Sequence, residues 1–120
     1  MYHILIVEDE PRIATFMRKG LNQAGYRADV VSDGPTALVE ANADDYQLIL
    51  LDLGLPGLDG QEVLQTLRSQ GNTCPVLIIT ARLPATLEAA NLKQLANGWL
   101  QKPFRMKELL SRIQPLLPVQ

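Results

Sequence analysis

HILIVEDEPRIATFMRKGLNQAG, residues 3–25, decides how this chain folds. His3 to Val7 is a continuous run of apolar and β-branched residues, the pattern of a parallel strand covered on both faces. It breaks at Glu8-Asp9-Glu10. Behind the break, Ile13, Met17, Gly20 with Leu21, and Ala24 recur at helical spacing as far as Gly25. Pro11 near the start and Gly25 at the stop are the residues that open and close a helix. The stretch is therefore one strand followed by one helix.

The same unit recurs to the end of the chain. Leu48 to Leu51 and Val76 to Ile79 are two more continuous apolar runs and read as interior strands. Arg27 to Val31 carries Arg27 and Asp29, and Gly98 to Gln101 is short and half polar, so both suit sheet edges, where a polar outer side costs little. Helical patterns fill the intervals: Pro35 to Ala43, Gln61 to Ser69, Pro84 to Ala96, and Met106 to Leu117, the last with Met106, Leu109, Leu110, Ile113 and Leu117 on one stripe. Five strand-helix units with right-handed crossovers predict an α/β fold, a doubly wound parallel sheet covered by helices on both faces. With the second and fifth strands outermost, the flavodoxin-like order 2-1-3-4-5 follows.

At 120 residues, 47% hydrophobic and 20% charged, the chain suits one domain over residues 1–120, with Pro115 to Gln120 as its end or the start of a linker. Eleven Lys and Arg against thirteen Asp and Glu leave a net charge of −2, which supplies no field for nucleic acid or an anionic membrane. Apolar runs such as Leu48 to Leu51 fall far short of the roughly 20 residues of a membrane helix, and the start has no signal pattern; a cytoplasmic domain is expected. Cys74 stands alone before Pro75 and reads as a small packed filler. His3, with no partner near it in sequence, reads as a surface or edge residue.

Ligands of such sheets bind beyond the carboxyl ends of the strands. Strand one runs into Glu8-Asp9-Glu10, strand three into Asp52, strand four into Thr80 and strand five into Lys102-Pro103. Singly, most have plain explanations: Asp9 reads equally well as a cap for the first helix, Thr80 as an ordinary strand end, Lys102 as an exposed lysine. Asp52 is different, because a carboxylate at a buried strand end costs several kcal/mol unless compensated. Glu8 and Asp9 add repulsion. A divalent cation resolves it, and Mg2+ accepts one or two carboxylates, a backbone carbonyl and waters while leaving room for a phosphoryl oxygen. A metal, a lysine and a hydroxyl around a central Asp are the parts that receive a phosphoryl group, so phosphoryl transfer onto Asp52 is the preferred chemistry.

With these residues in place the chain resembles the receiver domain of two-component response regulators, in particular those of the winged-helix transcription-factor class. The matching segments are ILIVEDE (4–10), LILLDLGLPGLDG (48–60), PVLIITA (75–81) and QKPF (101–104). The resemblance implies that Asp52 is the phospho-acceptor for a histidine kinase. It makes Asp9 and Asp52 direct magnesium ligands, Gly54 a backbone-carbonyl ligand, and Glu8 an acid acting through water. Thr80 and Lys102 would contact the phosphoryl group, and Lys102-Pro103 would be a cis peptide. Gly54 and Arg82 occupy positions that influence phosphoryl lifetime. Thr80 and the aromatic three residues before the lysine form the switch; that aromatic is Trp99 here, where Tyr or Phe is usual, and its bulk raises the cost of turning inward.

The output face departs from the class. At 100° per residue Ala85, Ala89, Leu92 and Ala96 share one side of the fourth helix and Leu87, Asn91 and Leu95 the other. Asn97 and Gly98 replace the usual Asp residues before the aromatic, so the ion-pair network of the class is at least partly missing. A more apolar dimer or partner face built from Leu87, Leu95, Glu108 and Arg112 is expected, with homodimerisation or an output domain as its target.

Three rivals fit less well. A flavin-phosphate binder wants Ser, Thr, Gly and bare amides after strand one, not three acids. An aspartyl-phosphate phosphatase of the haloacid dehalogenase type needs a second Asp where Gly54 stands. A degenerate receiver, binding partners without phosphorylation, is the main alternative, but all five chemical positions are filled.

Overall fold

Every residue of β1 (His3–Val7), β3 (Leu48–Asp52) and β4 (Val76–Thr80) is buried, as continuous apolar runs require when both faces of a sheet are covered. The computed structural model that gives these positions describes residues 1–81 and 92–118. The remaining elements are α1 (Pro11–Gln23), β2 (Arg27–Val31), α2 (Gly34–Ala43), α3 (Gly60–Ser69), α4 (Leu92–Leu95), β5 (Gly98–Gln101), α5 (Met106–Ile113) and a 3-10 turn over Gln114–Leu116. All five strands are parallel, in the order β2-β1-β3-β4-β5. β2 and β5 are the edges, as their polar residues predict.

Alternation along the strands divides the interior into two cores. Leu5, Val7, Ile49, Leu51, Val76 and Ile78 pack with α2, α3 and α4 through Ala37, Ala41, Val63, Leu64, Leu67 and Leu92. Ile4, Ile6, Leu48, Leu50, Leu77 and Ile79 pack on the other side with Met17 and Leu21 of α1 and Leu109 and Ile113 of α5. Each such side chain contributes about 1.5–3 kcal/mol of burial.

Two expectations need correction, and a third falls mostly outside the described residues. The helix predicted over Met106 to Leu117 is α-helical only to Ile113, because Pro115 has no N–H to donate and tightens the last turn. Leu116 and Leu117 still pack on the core, which is why the apolar stripe continues past the helix. His3 is buried, not a surface residue: its Nε2 lies 2.6 Å from Asp29 Oδ2 and its ring 4.2 Å from that of Tyr46. Both partners are distant in sequence. Of the helix predicted over Pro84 to Ala96, Leu92–Leu95 is described as helix, and Arg82, Leu87 and their neighbours lie outside the described residues.

Cys74 is half-buried, as its filler role requires, and burial pushes its thiol up to about 11.

The turn from β3 into α3 is the tightest point near the rim. Gly60 N donates to Leu53 O at 2.9 Å, and a Cβ on Gly60 would stand 2.4 Å from Asp52 O and 2.5 Å from Leu53 Cα. Both are backbone atoms that cannot swing aside. Gly60→Ala is expected to destabilise the domain by about 1–3 kcal/mol, as overpacking does, read as a lower urea midpoint at unchanged slope.

Candidate functional site

Parallel strands deliver their carboxyl ends to one rim, and the register sets them level. Val7 pairs with Leu51, Asp52 with Ile79, and Thr80 with Gln101. The residues that finish or follow these strands, Glu8, Asp9, Asp52, Thr80 and Lys102, therefore meet at one edge. One carboxylate oxygen from each of Glu8, Asp9 and Asp52 lies within 4.8 Å of the others. Glu8, Asp52 and Thr80 are buried, at 1%, 8% and 5% exposure, and Asp9 is exposed. The Lys102 ammonium lies 2.6 Å from Glu8 Oε1 and 3.3 Å from Asp52 Oδ2. Its nearest partner is thus Glu8 rather than the central Asp.

Backbone donors complete the arrangement. Glu10 N donates to Glu8 Oε2 at 3.1 Å and Gly54 N to Asp52 Oδ1 at 3.3 Å. Asp9 does not cap α1: the capping position is Glu10, and no side chain bonds the helix start. Lys102-Pro103 is cis. The cleft at this rim is lined by Asp52, Gly54, Thr80 and Lys102, with Asp59 and Gln61 at its side. The sequence marks Asp59 only as the start of a helix, and its carboxylate does cap α3 by accepting from Glu62 N at 3.0 Å.

Burial raises the Glu8 carboxyl above its ordinary value; the Lys102 and Glu10 hydrogen bonds oppose this and the Asp52 charge adds to it. For Lys102 burial acts downward, but the bonds and charges of Glu8 and Asp52 outweigh it and hold the ammonium above its ordinary range. Three carboxylates thus face one ammonium. The buried Glu8 Oε1 has the Lys102 ammonium, 2.6 Å away, as its partner. An all-oxygen set with surplus negative charge fits Mg2+.

The expected switch and partner residues adjoin this rim in part. Trp99 is half-buried and packs on the core beside Leu95 and Ala96. Its carbonyl accepts from Arg112 Nη1 at 2.5 Å. Trp99, Glu108 and Arg112 line a second cleft that Lys102 also reaches, while Glu108 caps α5 by accepting from Arg105 N at 3.2 Å. Leu95 does not stand out from the surface as its helical phase predicts; it is half-buried against the core. Arg68 of α3 explains this, because it donates to Leu95 O at 2.9 Å and to the carbonyls of Asn72 and Cys74, drawing the end of α4 inward. Asn97 stays exposed, its Oδ1 accepting from Val76 N at 2.9 Å. Arg68 carries no mark in the sequence beyond being a basic residue in a last helical turn.

Replacing Lys102 by Met leaves Glu8 buried without its counter-charge. Breaking such a pair costs about 3 kcal/mol at pH 7. A carboxyl raised by burial keeps its full contribution below its ordinary value of 4.5 and loses it as pH rises, so the deficit against wild type should shrink toward pH 4. Urea denaturation at the two pH values checks this.

Residues 4–114 match the family described as the response regulator receiver domain. The transcriptional regulatory protein HprR of Escherichia coli K12 is 46% identical over 114 residues, covering 95% of this chain and 51% of HprR. The transcriptional activator protein IrlR of Burkholderia pseudomallei is also 46% identical over 114 residues, covering 95% of this chain and 49% of IrlR. The chain thus spans about half the length of the curated relatives it matches. Among solved structures, the receiver domain of sensor histidine kinase PA1611 from Pseudomonas aeruginosa PAO1, crystallised with a magnesium ion coordinated in the active site cleft, is 34% identical with a TM-score of 0.88 over 96% of both chains. With its strand order, its acidic rim and its paired lysine, the chain belongs to the response regulator receiver domain family.

Proposed function

We propose that this domain is a phosphorylation switch in the cytoplasm, accepting a phosphoryl group on Asp52 from a sensor histidine kinase and thereby controlling transcription through a partner or output domain. The observation that carries this reading is the setting of Asp52: a buried carboxylate at a strand end, 3.3 Å from an ammonium and clustered with two further carboxylates. That is a nucleophile with charge compensation already in place. In the transfer, a carboxylate oxygen of Asp52 bonds to phosphorus as the nitrogen–phosphorus bond of the kinase phosphohistidine breaks, and the imidazole leaves with the kinase. Lys102 balances charge on the phosphoryl oxygens, and the Thr80 hydroxyl contacts one of them.

Asp9, Asp52 and the Gly54 carbonyl would hold Mg2+ directly, and Glu8 through water; the ion, when bound, neutralises charge around the phosphoryl group. The magnesium-bound PA1611 receiver domain supports this assignment. Thr80 and Trp99 form the switch, and Leu87, Leu95, Glu108 and Arg112 the face that carries homodimerisation or contact with the output domain. A coupling of about 1–3 kcal/mol between the two suffices for a several-fold change in partner affinity. With a net charge of −2 the domain itself makes no contact with nucleic acid.

Acetyl phosphate with Mg2+ should add one phosphoryl group to the wild-type chain and none to Asp52→Ala, measured as intact mass, and beryllofluoride should change the fluorescence of Trp99, the only tryptophan. A wild-type chain that neither acetyl phosphate nor a kinase modifies would be a partner-binding module instead. Leu87→Asp, which leaves the core-packed Leu95 in place, should abolish phosphorylation-dependent association in sedimentation experiments; unchanged association would move the interface elsewhere.

A further inference from the structure

The amino-terminal end of the sheet, opposite the acidic rim, holds a second constellation with ligand chemistry. His3 opens β1, Asp29 lies on β2, and Asp44 is the residue at which α2 ends. One atom from each lies within 4.8 Å of the other two. We propose that His3 and Asp44, oriented by Asp29, form a binding site for a first-row transition metal ion such as Zn2+, distinct from the site at Asp52.

The His3 ring is held before any ion arrives. The side chain is 11% exposed and its ring lies 4.2 Å from the Tyr46 ring, and the His3 backbone is pinned on both sides by Gln47, through His3 N to Gln47 Oε1 at 2.7 Å and Gln47 N to His3 O at 2.9 Å. Nε2 is 2.6 Å from Asp29 Oδ2, a hydrogen bond. Nδ1 is 3.8 Å from Asp44 Oδ2, too far for one. Metal bonds of about 2.0–2.2 Å to nitrogen and oxygen place two ligand atoms on one ion roughly 3–4 Å apart, and that distance falls inside this range. A carboxylate on the far nitrogen is the usual support of a metal-binding histidine: it takes the Nε2–H and leaves the Nδ1 lone pair for the ion.

Asp44 is oriented as well, since Asp45 N donates to its Oδ1 at 2.8 Å and leaves Oδ2 toward the ring. The local charge invites a cation. The Tyr46 hydroxyl oxygen lies 2.9 Å from a carboxylate oxygen of both Asp29 and Glu40, with one proton to share between them, so Asp29, Glu40, Asp44 and Asp45 gather here, with Arg27 a cation acting on Asp29. Mixed imidazole and carboxylate ligands favour zinc-like ions over Mg2+, which prefers oxygen alone. Asp44 is exposed, so an ion has a way in. Waters complete the coordination.

The test separates this site from the acidic rim. In the full chain carrying Asp9→Asn and Asp52→Asn, zinc chloride is titrated by calorimetry with magnesium in excess, and thermal melts are recorded. One zinc equivalent and a saturable rise in Tm are expected, as for any ligand of the folded state alone. Asp44→Asn, an exposed change that leaves the core intact, should weaken binding at least tenfold and remove the rise in Tm. His3→Gln should do the same, and Cys74→Ser should change nothing. No zinc uptake in the double-variant chain, wild-type affinity in Asp44→Asn, or loss of binding in Cys74→Ser would each overturn the assignment.

Discussion

One ammonium group stands between two buried carboxylates at the rim of this sheet, and the rim is stable in its observed form because of it. Lys102 lies 2.6 Å from Glu8 and 3.3 Å from Asp52, in a place where neither acid has enough water to carry its charge alone. Separating an ion from such a pair costs several kcal/mol, far more than any exposed salt bridge returns. The three residues come from three strands. Holding them together therefore requires β1, β3 and β5 to end at the same level, which is a demand on the whole sheet rather than on any one loop.

The two cores meet that demand. Leu5 and Val7 face one layer of helices, Ile4 and Ile6 the other, and a slip of one residue in any interior strand would exchange the two sets. Register is thus fixed by apolar packing, and the charges inherit their positions from it. Gly60 adds a second restraint at the same place, since α3 starts directly on the backbone of Asp52 and Leu53. Stability and site geometry are coupled here: the packing that fixes strand register is what forces three acids into one cluster around Asp52.

How much of this was legible in the chain differed by residue. The five strands were, because continuous apolar runs admit few other readings; β3 and β4 merely extend one residue further, to Asp52 and Thr80, since ladder bonds continue through a polar residue as readily as through an apolar one. The rim residues were legible from their places at strand ends. What escaped was everything set by partners far away in sequence. The burial of His3 depends on Asp29 and Tyr46, the inward set of Leu95 on Arg68, and the closeness of Lys102 to Glu8 on the stacking order of strands that lie 94 positions apart in the chain. Helical phase gives the face on which Leu95 lies relative to its own helix. It says nothing of a guanidinium from α3 that pulls the helix end toward the sheet.

Lys102, directly after β5, also ties the Asp52 rim to that strand. Its backbone N–H is bound to Thr80 O at 2.8 Å, and three residues earlier, within β5, Trp99 presents its carbonyl to Arg112 of α5 at 2.5 Å. β5 is thus anchored by the Lys102 contacts just beyond its end and by the Arg112 contact at Trp99. New negative charge on Asp52 would compete with Glu8 for the ammonium, and any shift of Lys102 toward it loads the Thr80 contact and the Trp99 clamp together. The path is short: Asp52 meets Lys102 directly, and Lys102 stands three residues from Trp99, whose carbonyl binds α5.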